Sequence, residues 1–205
     1  MHTGKEESIC LAKNLTVYPF ADAILNFVRY ANGNAFFNAV LSIIENYPPQ
    51  VLNVLMNHIG THDTERAITR LAGENPDGHD RAWQFEHNTL SEFDYLKGIS
   101  MMKIASLIQF TLPGVPSIYY GDEIGMQGMK DPFNRGCMPW NKPNEELLKW
   151  YKRLGQIRHS SKAFIDGDFE KLYCDGGVIA YSRSSEGDNI LVAINNSNEQ
   201  KRIFV

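Results

Sequence analysis

The chain has 205 residues, 43% of them hydrophobic and 21% charged, so it can bury a sizeable core and is not a disordered composition. Its formal net charge of −4 argues against nucleic acid as a partner, because nucleic-acid-binding domains usually carry a basic face. No uninterrupted apolar run approaches the roughly 18 residues of a membrane span, so we expect no membrane partner.

The first part of the chain predicts two helices and a strand. Residues 19–31 and 34–46 carry apolar side chains at helical spacing, and Tyr47-Pro48-Pro49 ends the second helix. The run from Val51 to Met56 is short and apolar, which is typical of a parallel strand covered on both faces. A short helix is then predicted over residues 64–72, ending at a glycine.

A long helix, a second strand and a third stretch of helix follow. The long helix is predicted over residues 91–111, with a serine as its candidate N-cap. Val115 to Tyr120 has the pattern of another buried strand, and after a loop over 121–143 an amphipathic helix begins at Asn144. This alternation predicts an α/β fold in which residues 51–57 and 115–120 are adjacent parallel strands joined by the long helix.

The pattern changes at about residue 166. Three strand-like runs are separated by turn signals, first Asp175-Gly176-Gly177 and then Glu186-Gly187-Asp188. We therefore predict two domains, an α/β portion over residues 1–165 and the start of an all-β antiparallel domain over residues 166–205.

The cysteines and the N-terminus bear on the cellular compartment. Cys10, Cys137 and Cys174 are odd in number and form no CxxC pair or metal-ligand spacing, which favours free thiols in a reducing compartment. The N-terminal residues contain no apolar signal core. We expect a cytoplasmic protein, and no motif in the sequence predicts a metal site or a cofactor.

Acidic residues follow both predicted strands. His62-Asp63 comes after the first strand, and Asp122-Glu123 comes after the second. In a β/α barrel the active site lies at the carboxyl ends of the strands, where a carboxylate can act as a base, an acid, a nucleophile or an electrostatic stabiliser.

Each of these residues also has a structural explanation. Asp63 precedes a predicted helix that it could cap, and His62 could be a hydrogen-bonded core histidine. Asp122 and Glu123 could be loop or cap groups. Asp131 and Arg135 are four residues apart and could be a local surface pair, and the Tyr119-Tyr120 run could belong to the core. The spacing alone supports only an α/β domain with acidic residues at the carboxyl ends of two strands.

Four segments in order resemble the alpha-amylase family of glycoside hydrolases. MNHIGTHDTER resembles the family's region at the end of the seventh barrel strand, and FTLPGVPSIYYGDEIGM resembles the eighth strand and its approach. DPFNRGCMPW resembles the loop that follows, and YPFADAIL resembles the segment after the sixth strand. The resemblance covers roughly residues 17–205 and is strongest to the neopullulanase and cyclomaltodextrinase branch.

The resemblance implies a fold and a set of site residues. The fold would be the last strands and helices of a TIM (β/α)8 barrel, followed by the start of an all-β C-terminal domain. Asp63 would be the third catalytic carboxylate, which stabilises the transition state, and His62 would bind the same sugar. Asp131 and Arg135 would contact sugars farther along, and the substrates would be alpha-glucan oligosaccharides.

The resemblance also implies what these 205 residues do not contain. Family members use a nucleophilic Asp and a general-acid Glu from regions that precede the YPF segment, so we expect a C-terminal part of a retaining hydrolase that is inactive alone. The alternative is a non-catalytic carbohydrate-binding or oligomerising remnant. Strand edges exposed by a partial barrel would favour homo-oligomers.

Overall fold

The computed structural model describes residues 18–205. Its α-helices are α1 (Tyr18–Tyr30), α2 (Gly33–Asn46), α3 (Pro49–Leu52), α4 (Ala67–Ala72), α5 (Arg81–Glu86), α6 (Glu92–Thr111), α7 (Glu145–His159) and α8 (Ala163–Asp166). Its strands are β1 (Met56–Asn57), β2 (Val115–Pro116), β3 (Asp168–Asp175), β4 (Val178–Ser185) and β5 (Asp188–Asn195). Two short 3-10 helices, Asp122–Ile124 and Phe133–Arg135, lie in the loop after β2.

Strands β1 and β2 pair in parallel, as the sequence predicts, with Met56 opposite Val115. They are joined by a connection that contains α6. Both strands are shorter than predicted. The start of the apolar run at Val51 belongs to α3 instead, because Pro49 occupies the first turn of a helix, where its fixed φ and missing N–H are tolerated. The second strand ends at Pro116, and the residues up to Tyr120 have no regular structure.

The longer helices agree with the prediction at their starts because polar side chains cap them. Ser91 accepts a hydrogen bond from the backbone N–H of Asp94 at the start of α6, and Asn144 accepts one from Leu147 at the start of α7. Each cap satisfies a backbone donor that has no partner inside the helix.

Between β1 and α6, one predicted helix is shorter than expected, and one helix was not predicted. The helix expected over residues 64–72 begins only at Ala67, and Arg66 stands at its N-cap position with an extended backbone. Helix α5 lies in a stretch for which no helix was predicted. It buries no residue, so it lacks the apolar periodicity from which helices are predicted.

Strands β3, β4 and β5 form a separate antiparallel sheet in sequence order. The two hairpin turns are those that the glycine-bearing signals predict. Gly176 and Gly187 lie in these turns with φ values of 56° and 79°. Glycine adopts this left-handed region without a steric cost, which is why it marks tight hairpins.

One buried core joins the helices to this sheet. It includes residues of α1, α2, α6, α7 and β4, among them Ile24, Phe36, Phe37, Val40, Met102, Ile108, Leu154, Ile179 and Tyr181. The backbones also approach closely, since the Gly33 N–H donates to the Gly176 carbonyl at 2.8 Å. A Cβ on Gly33 would lie 2.7 Å from that oxygen, so a larger residue would separate α2 from the hairpin.

A buried arginine crosses the boundary between helices and sheet. Arg183 on β4 is fully buried, and its guanidinium donates to the carbonyls of Thr111 and Gly167, at 2.8 Å each. Burial lowers the pKa of Arg183 to about 10. Next to it, the Tyr181 hydroxyl shares a hydrogen bond with Thr111. The sheet is therefore fixed to the end of α6 by polar contacts as well as by apolar packing.

We predict that Arg183→Leu lowers the free energy of unfolding by about 2–4 kcal/mol, because two buried carbonyls lose their donors. Urea denaturation measures this loss as a shift of the midpoint. The matched control is Arg153→Leu on the exposed side of α7, for which a change within about 0.5 kcal/mol is expected. Equal midpoints for the two variants would contradict the role given to Arg183.

Candidate functional site

His62 and Asp63 lie in the loop that follows β1. His62 Nε2 is 3.3 Å from Asp63 Oδ1, and the two side chains are 65% and 54% exposed. The backbone N–H of Asp63 donates to Thr61 Oγ1 at 3.2 Å. His62 is therefore not a core histidine, and Asp63 does not occupy the N-cap position of α4, which belongs to Arg66. Both structural explanations offered from the sequence are excluded.

The 3-10 helix Phe133–Arg135 holds this loop in place. Asn134 is fully buried, and its side-chain N–H groups donate to the carbonyls of His62 and Thr64, at 2.8 Å each. Arg135 Nε also points at the His62 carbonyl, at 3.3 Å, and at Asp131 Oδ1, at 3.3 Å. These contacts bring four of the residues singled out from the sequence, His62, Asp63, Asp131 and Arg135, into one continuous surface.

The side chain of Arg66 also holds the loop that contains His62 and Asp63. It is fully buried, and its guanidinium carbon lies 4.4 Å from the ring centroids of both Tyr119 and Tyr120. Its Nη1 donates to the Tyr120 carbonyl and lies 3.9 Å from Asp122 Oδ1. The Arg66 backbone N–H donates to the Gly128 carbonyl at 2.9 Å. One side chain thus ties the loop after β1 to the loop after β2.

Asp122 is the buried carboxyl of this arrangement. Burial raises the pKa of Asp122 to about 7. The positive charge of Arg66 partly opposes this shift, and the negative charge of Glu123 adds a smaller amount to it. The Asp122 carboxyl also faces the backbone of Gly60, where an added Cβ would lie 2.5 Å from Oδ2. The sequence grouped Asp122 with the exposed strand-end acids, but the structure places it beneath the surface.

A cleft opens beside Asp63. It has a volume of ≈ 370 Å³ and is lined by Asp63 with Leu25, Asn26, Arg29, Tyr30, Thr64, Glu65, Arg70, Glu74, Asn75, Pro76, Asp77 and Lys130. Its lining carries basic and acidic side chains together. Lys130 pairs with Asp77 and Glu65, and Arg70 pairs with Asp22 just outside the lining. The cleft therefore offers many hydrogen-bonding groups, both donors and acceptors, to a polar ligand.

Sequence reasoning missed Arg66 and Asn134, although both lie inside segments that it quoted. No periodicity distinguishes an arginine that is buried from one that is exposed. The available signal was indirect, since Tyr119, Tyr120 and Asp122 together form a set of partners suited to a guanidinium. The tyrosine pair, which was expected in the core, is instead only partly buried over Arg66.

Neither a metal site nor a membrane-spanning helix is found among residues 18–205. No group of three or more His, Cys, Asp and Glu side chains in this range is arranged to hold a metal ion. Within the same range, no helix combines the length and apolar character needed to cross a membrane.

Comparison with known protein families gives two matches. The profile of the alpha-amylase catalytic domain matches residues 13–167, and that of the alpha-amylase C-terminal domain matches residues 167–205. The chain belongs to the alpha-amylase family. The resemblance inferred from the sequence is confirmed, and so is the fold of a partial TIM barrel followed by an antiparallel C-terminal domain.

Individual relatives agree with this assignment. The chain is 34% identical over 192 residues to a cyclomaltodextrinase of Thermoanaerobacter pseudethanolicus and 29% identical over 196 residues to neopullulanase 2 of Thermoactinomyces vulgaris. Each alignment covers 92% of this chain and 29% of the relative, so the chain spans less than a third of these relatives' length.

A solved structure matches at the level of the fold and of the sequence. The cyclic alpha-maltosyl-(1→6)-maltose hydrolase of Arthrobacter globiformis, in complex with cyclic alpha-maltosyl-(1→6)-maltose, superposes with a TM-score of 0.71 at 27% identity. The match covers 87% of this chain and 36% of that structure.

We predict that Asp122 makes the stability of this alpha-amylase-family chain depend on pH. The pKa of Asp122 is higher in the folded chain than in the unfolded chain, so the unfolded chain loses this proton at a lower pH. Wild type should therefore lose stability as pH rises from about 4 to 7, relative to Asp122→Asn, which has no carboxyl group to ionise at this position. Each unit of pKa shift contributes about 1.4 kcal/mol. Urea denaturation across this pH range measures the difference between the two proteins.

The variant Glu45→Gln, which removes one exposed carboxylate from α2, controls for the change in net charge. A difference between wild type and Asp122→Asn that stays constant, or that moves in favour of wild type as pH rises, would contradict the prediction.

Proposed function

We propose that this chain supplies one wall of an active site that cleaves alpha-glucans with retention. In this proposal Asp63 is the catalytic carboxylate that stabilises the transition state, and His62, Asp131 and Arg135 bind the substrate. The supporting observation is the contact of Asn134 and Arg135 with the His62 carbonyl, because it joins the four residues at the carboxyl end of β1. That end of a barrel strand is where catalytic groups of this fold lie.

The chemistry needs a fixed negative charge at this place. The transition state of glycoside hydrolysis resembles an oxocarbenium ion, with positive charge developing on the sugar ring. A carboxylate stabilises that charge more than it stabilises the neutral substrate, and this difference lowers the barrier. Asp63 suits the role because its side chain is half exposed while its backbone is held through Thr61 and its neighbour His62.

The substrate class follows from the cleft and the relatives together. The donors and acceptors that line the cleft beside Asp63 suit the hydroxyl groups of a sugar. The related proteins are a cyclomaltodextrinase, a neopullulanase and a hydrolase bound to a cyclic maltosyl-maltose. Alpha-glucan oligosaccharides are the ligands that these names share.

We also propose that the 205 residues do not hydrolyse glucans by themselves. Retaining cleavage uses two carboxyl groups about 5–5.5 Å apart, one as nucleophile and one as acid. Asp63 takes neither role in this scheme, and Asp122 is buried against Arg66 and Gly60, out of reach of a sugar. A second candidate function, non-catalytic carbohydrate binding, would use the same cleft without chemistry.

A chimera tests the catalytic proposal. Residues 13–205 replace the matching segment of the Thermoanaerobacter pseudethanolicus cyclomaltodextrinase, and release of reducing sugar from maltooligosaccharides is measured. We expect an active chimera in which Asp63→Asn lowers kcat by about 10²–10³-fold, the effect of losing one transition-state contact. The 205-residue chain alone should release no reducing sugar.

The matched control is Asp175→Asn, which changes an exposed aspartate at the end of β3 and should leave kcat within about twofold. A chimera that keeps its activity with Asp63→Asn would overturn the catalytic role. Hydrolysis by the 205-residue chain alone would overturn the proposal that it is inactive.

We propose in addition that the chain forms homo-oligomers. Large apolar side chains are exposed on and around the β1–β2 pair, namely Val54, Met56, Val115 and Ile118. A short parallel pair with exposed apolar residues is a surface that a second copy could cover.

Light scattering at micromolar concentration tests the oligomer. We expect a dimer or larger species for wild type, and a shift towards monomer for the double variant Val54→Lys/Met56→Lys, because lysine resists burial without a partner. The control substitutes lysine for Phe204, an exposed residue near the C-terminus. A monodisperse wild-type monomer would reject the proposal.

We also propose a domain boundary after residue 165. The start of β3 at Asp168 supports it, and limited proteolysis near this position would test it.

We propose in addition a cytoplasmic location. The free thiols of Cys137 and Cys174 support it, and fractionation of cells producing the chain would test it.

A further inference from the structure

Helix α5 exposes a large aromatic side chain next to the site. Phe85 is 72% exposed, yet its ring centroid lies 6.2 Å from that of Phe133, with the ring planes tilted by 50°. The two rings are within the range of aromatic contact and present one apolar surface to solvent.

This aromatic surface borders the proposed substrate-binding pair. Phe133 belongs to the same 3-10 helix as Arg135, and Asp131 comes two residues before it. Arg135 contacts both Asp131 and the His62 carbonyl. Contacts therefore lead from Asp63 through His62 to Arg135, and the 3-10 helix that carries Arg135 also carries Phe133, which contacts Phe85. A sugar over Phe85 would be a different unit from the one at Asp63.

Helix α5 is braced on its other side by a stack of three rings. Trp83 lies between His79 and His87, with centroid distances of 3.8 and 3.9 Å and nearly parallel planes. Asp80 caps the helix through the Trp83 N–H at 2.9 Å, and His87 Nδ1 lies 2.9 Å from the Trp83 carbonyl. Two residues along a helix correspond to about 200° of rotation, so Trp83 and Phe85 leave α5 on roughly opposite sides.

We propose that Phe85, together with Phe133, is a stacking platform for a glucose ring of an alpha-glucan chain, at a subsite beyond the Asp131–Arg135 pair. A pyranose ring has an apolar C–H face and a rim of hydroxyl groups. The two phenyl rings match the face, while Asp131 and Arg135 offer an acceptor and donors for the rim. Binding sites commonly combine an apolar surface with a few convergent polar groups in this way. The inference rests on the proposed function and deepens it.

The charged pair favours a sugar over a second protein chain as the occupant of this surface. Charged residues are depleted from the cores of protein interfaces, because burial removes their hydration. Asp131 and Arg135 are both about half exposed beside the rings. A carbohydrate can satisfy these groups with hydroxyls, so the platform and the pair can be used together. The Trp83 stack stabilises the helical conformation of α5 before a ligand binds, which lowers the ordering cost of binding.

Titration of the 205-residue chain with maltotriose and maltoheptaose, followed by NMR chemical shifts, tests the platform. We expect Phe85→Ala to weaken maltoheptaose binding roughly tenfold, and maltotriose binding far less, because only the longer chain spans both Asp63 and Phe85. Phe85→Tyr should keep the affinity, since a ring remains in place. Phe93→Ala is the matched control, since Phe93 is a similarly exposed phenylalanine, at 76%, on the neighbouring helix α6.

The outcomes separate this inference from the proposed function. Equal maltoheptaose affinity for wild type and Phe85→Ala, equal losses for Phe85→Ala and Phe93→Ala, or no binding by wild type would each overturn the platform. A change of oligomeric state in Phe85→Ala without a change in affinity would assign the surface to a second copy and also overturn it. The catalytic role of Asp63 is decided separately, by the activity of the Asp63→Asn chimera.

Discussion

The burial of one guanidinium, that of Arg66, is the constraint on which the site depends. A buried charge is costly, and Arg66 is stabilised by the Tyr120 carbonyl, which accepts from its Nη1, by two tyrosine rings and by Asp122 at 3.9 Å. Among the described residues, its Nε and Nη2 have no hydrogen-bond partner, so this compensation is partial. All these partners belong to the loop after β2, whereas Arg66 follows the His62-Asp63 loop after β1. Placing the guanidinium therefore fixes the two strand-end loops relative to each other.

The contacts of Asn134 and Arg135 with the loop after β1 depend on that arrangement. The loop after β2 continues to Asn134 and Arg135, which return to hold the carbonyls of His62 and Thr64. The loop after β1 is thus held by Arg66 and by Asn134, while the side chains of its two candidate functional residues, His62 and Asp63, remain exposed. A site on loops becomes precise only when such supporting contacts lock it. Here the buried side chains of Arg66 and Asn134 supply them, together with Arg135, which is also one of the proposed substrate-binding residues.

The sequence predicted those features that local chemistry determines. Helices α6 and α7 have capping side chains at their starts, and the hairpins have glycines in their turns, so both could be located from sequence. The strands were less predictable, because an apolar run such as VLNVLM suits a buried helix turn as well as a strand, and Pro49 decides for the helix. Helix α5 was missed because its order comes from stacked rings rather than from apolar periodicity. Arg66 and Asn134 were missed because their partners lie far away in the chain, and no local pattern encodes such contacts.

Asp63 and Asp122 show how much the fold adds to a motif. Both lie shortly after a predicted strand, so position alone allowed the same range of roles, and only the family resemblance singled out Asp63. The structure leaves Asp63 half exposed beside a cleft and buries Asp122 under Gly60, where any larger residue than glycine would collide with its carboxyl. A carboxylate that must stabilise a cation on a sugar has to reach that sugar, whereas one that neutralises a buried guanidinium must not be reached by water. Exposure, rather than position after a strand, therefore distinguishes the candidate transition-state-stabilising carboxylate from the structural one.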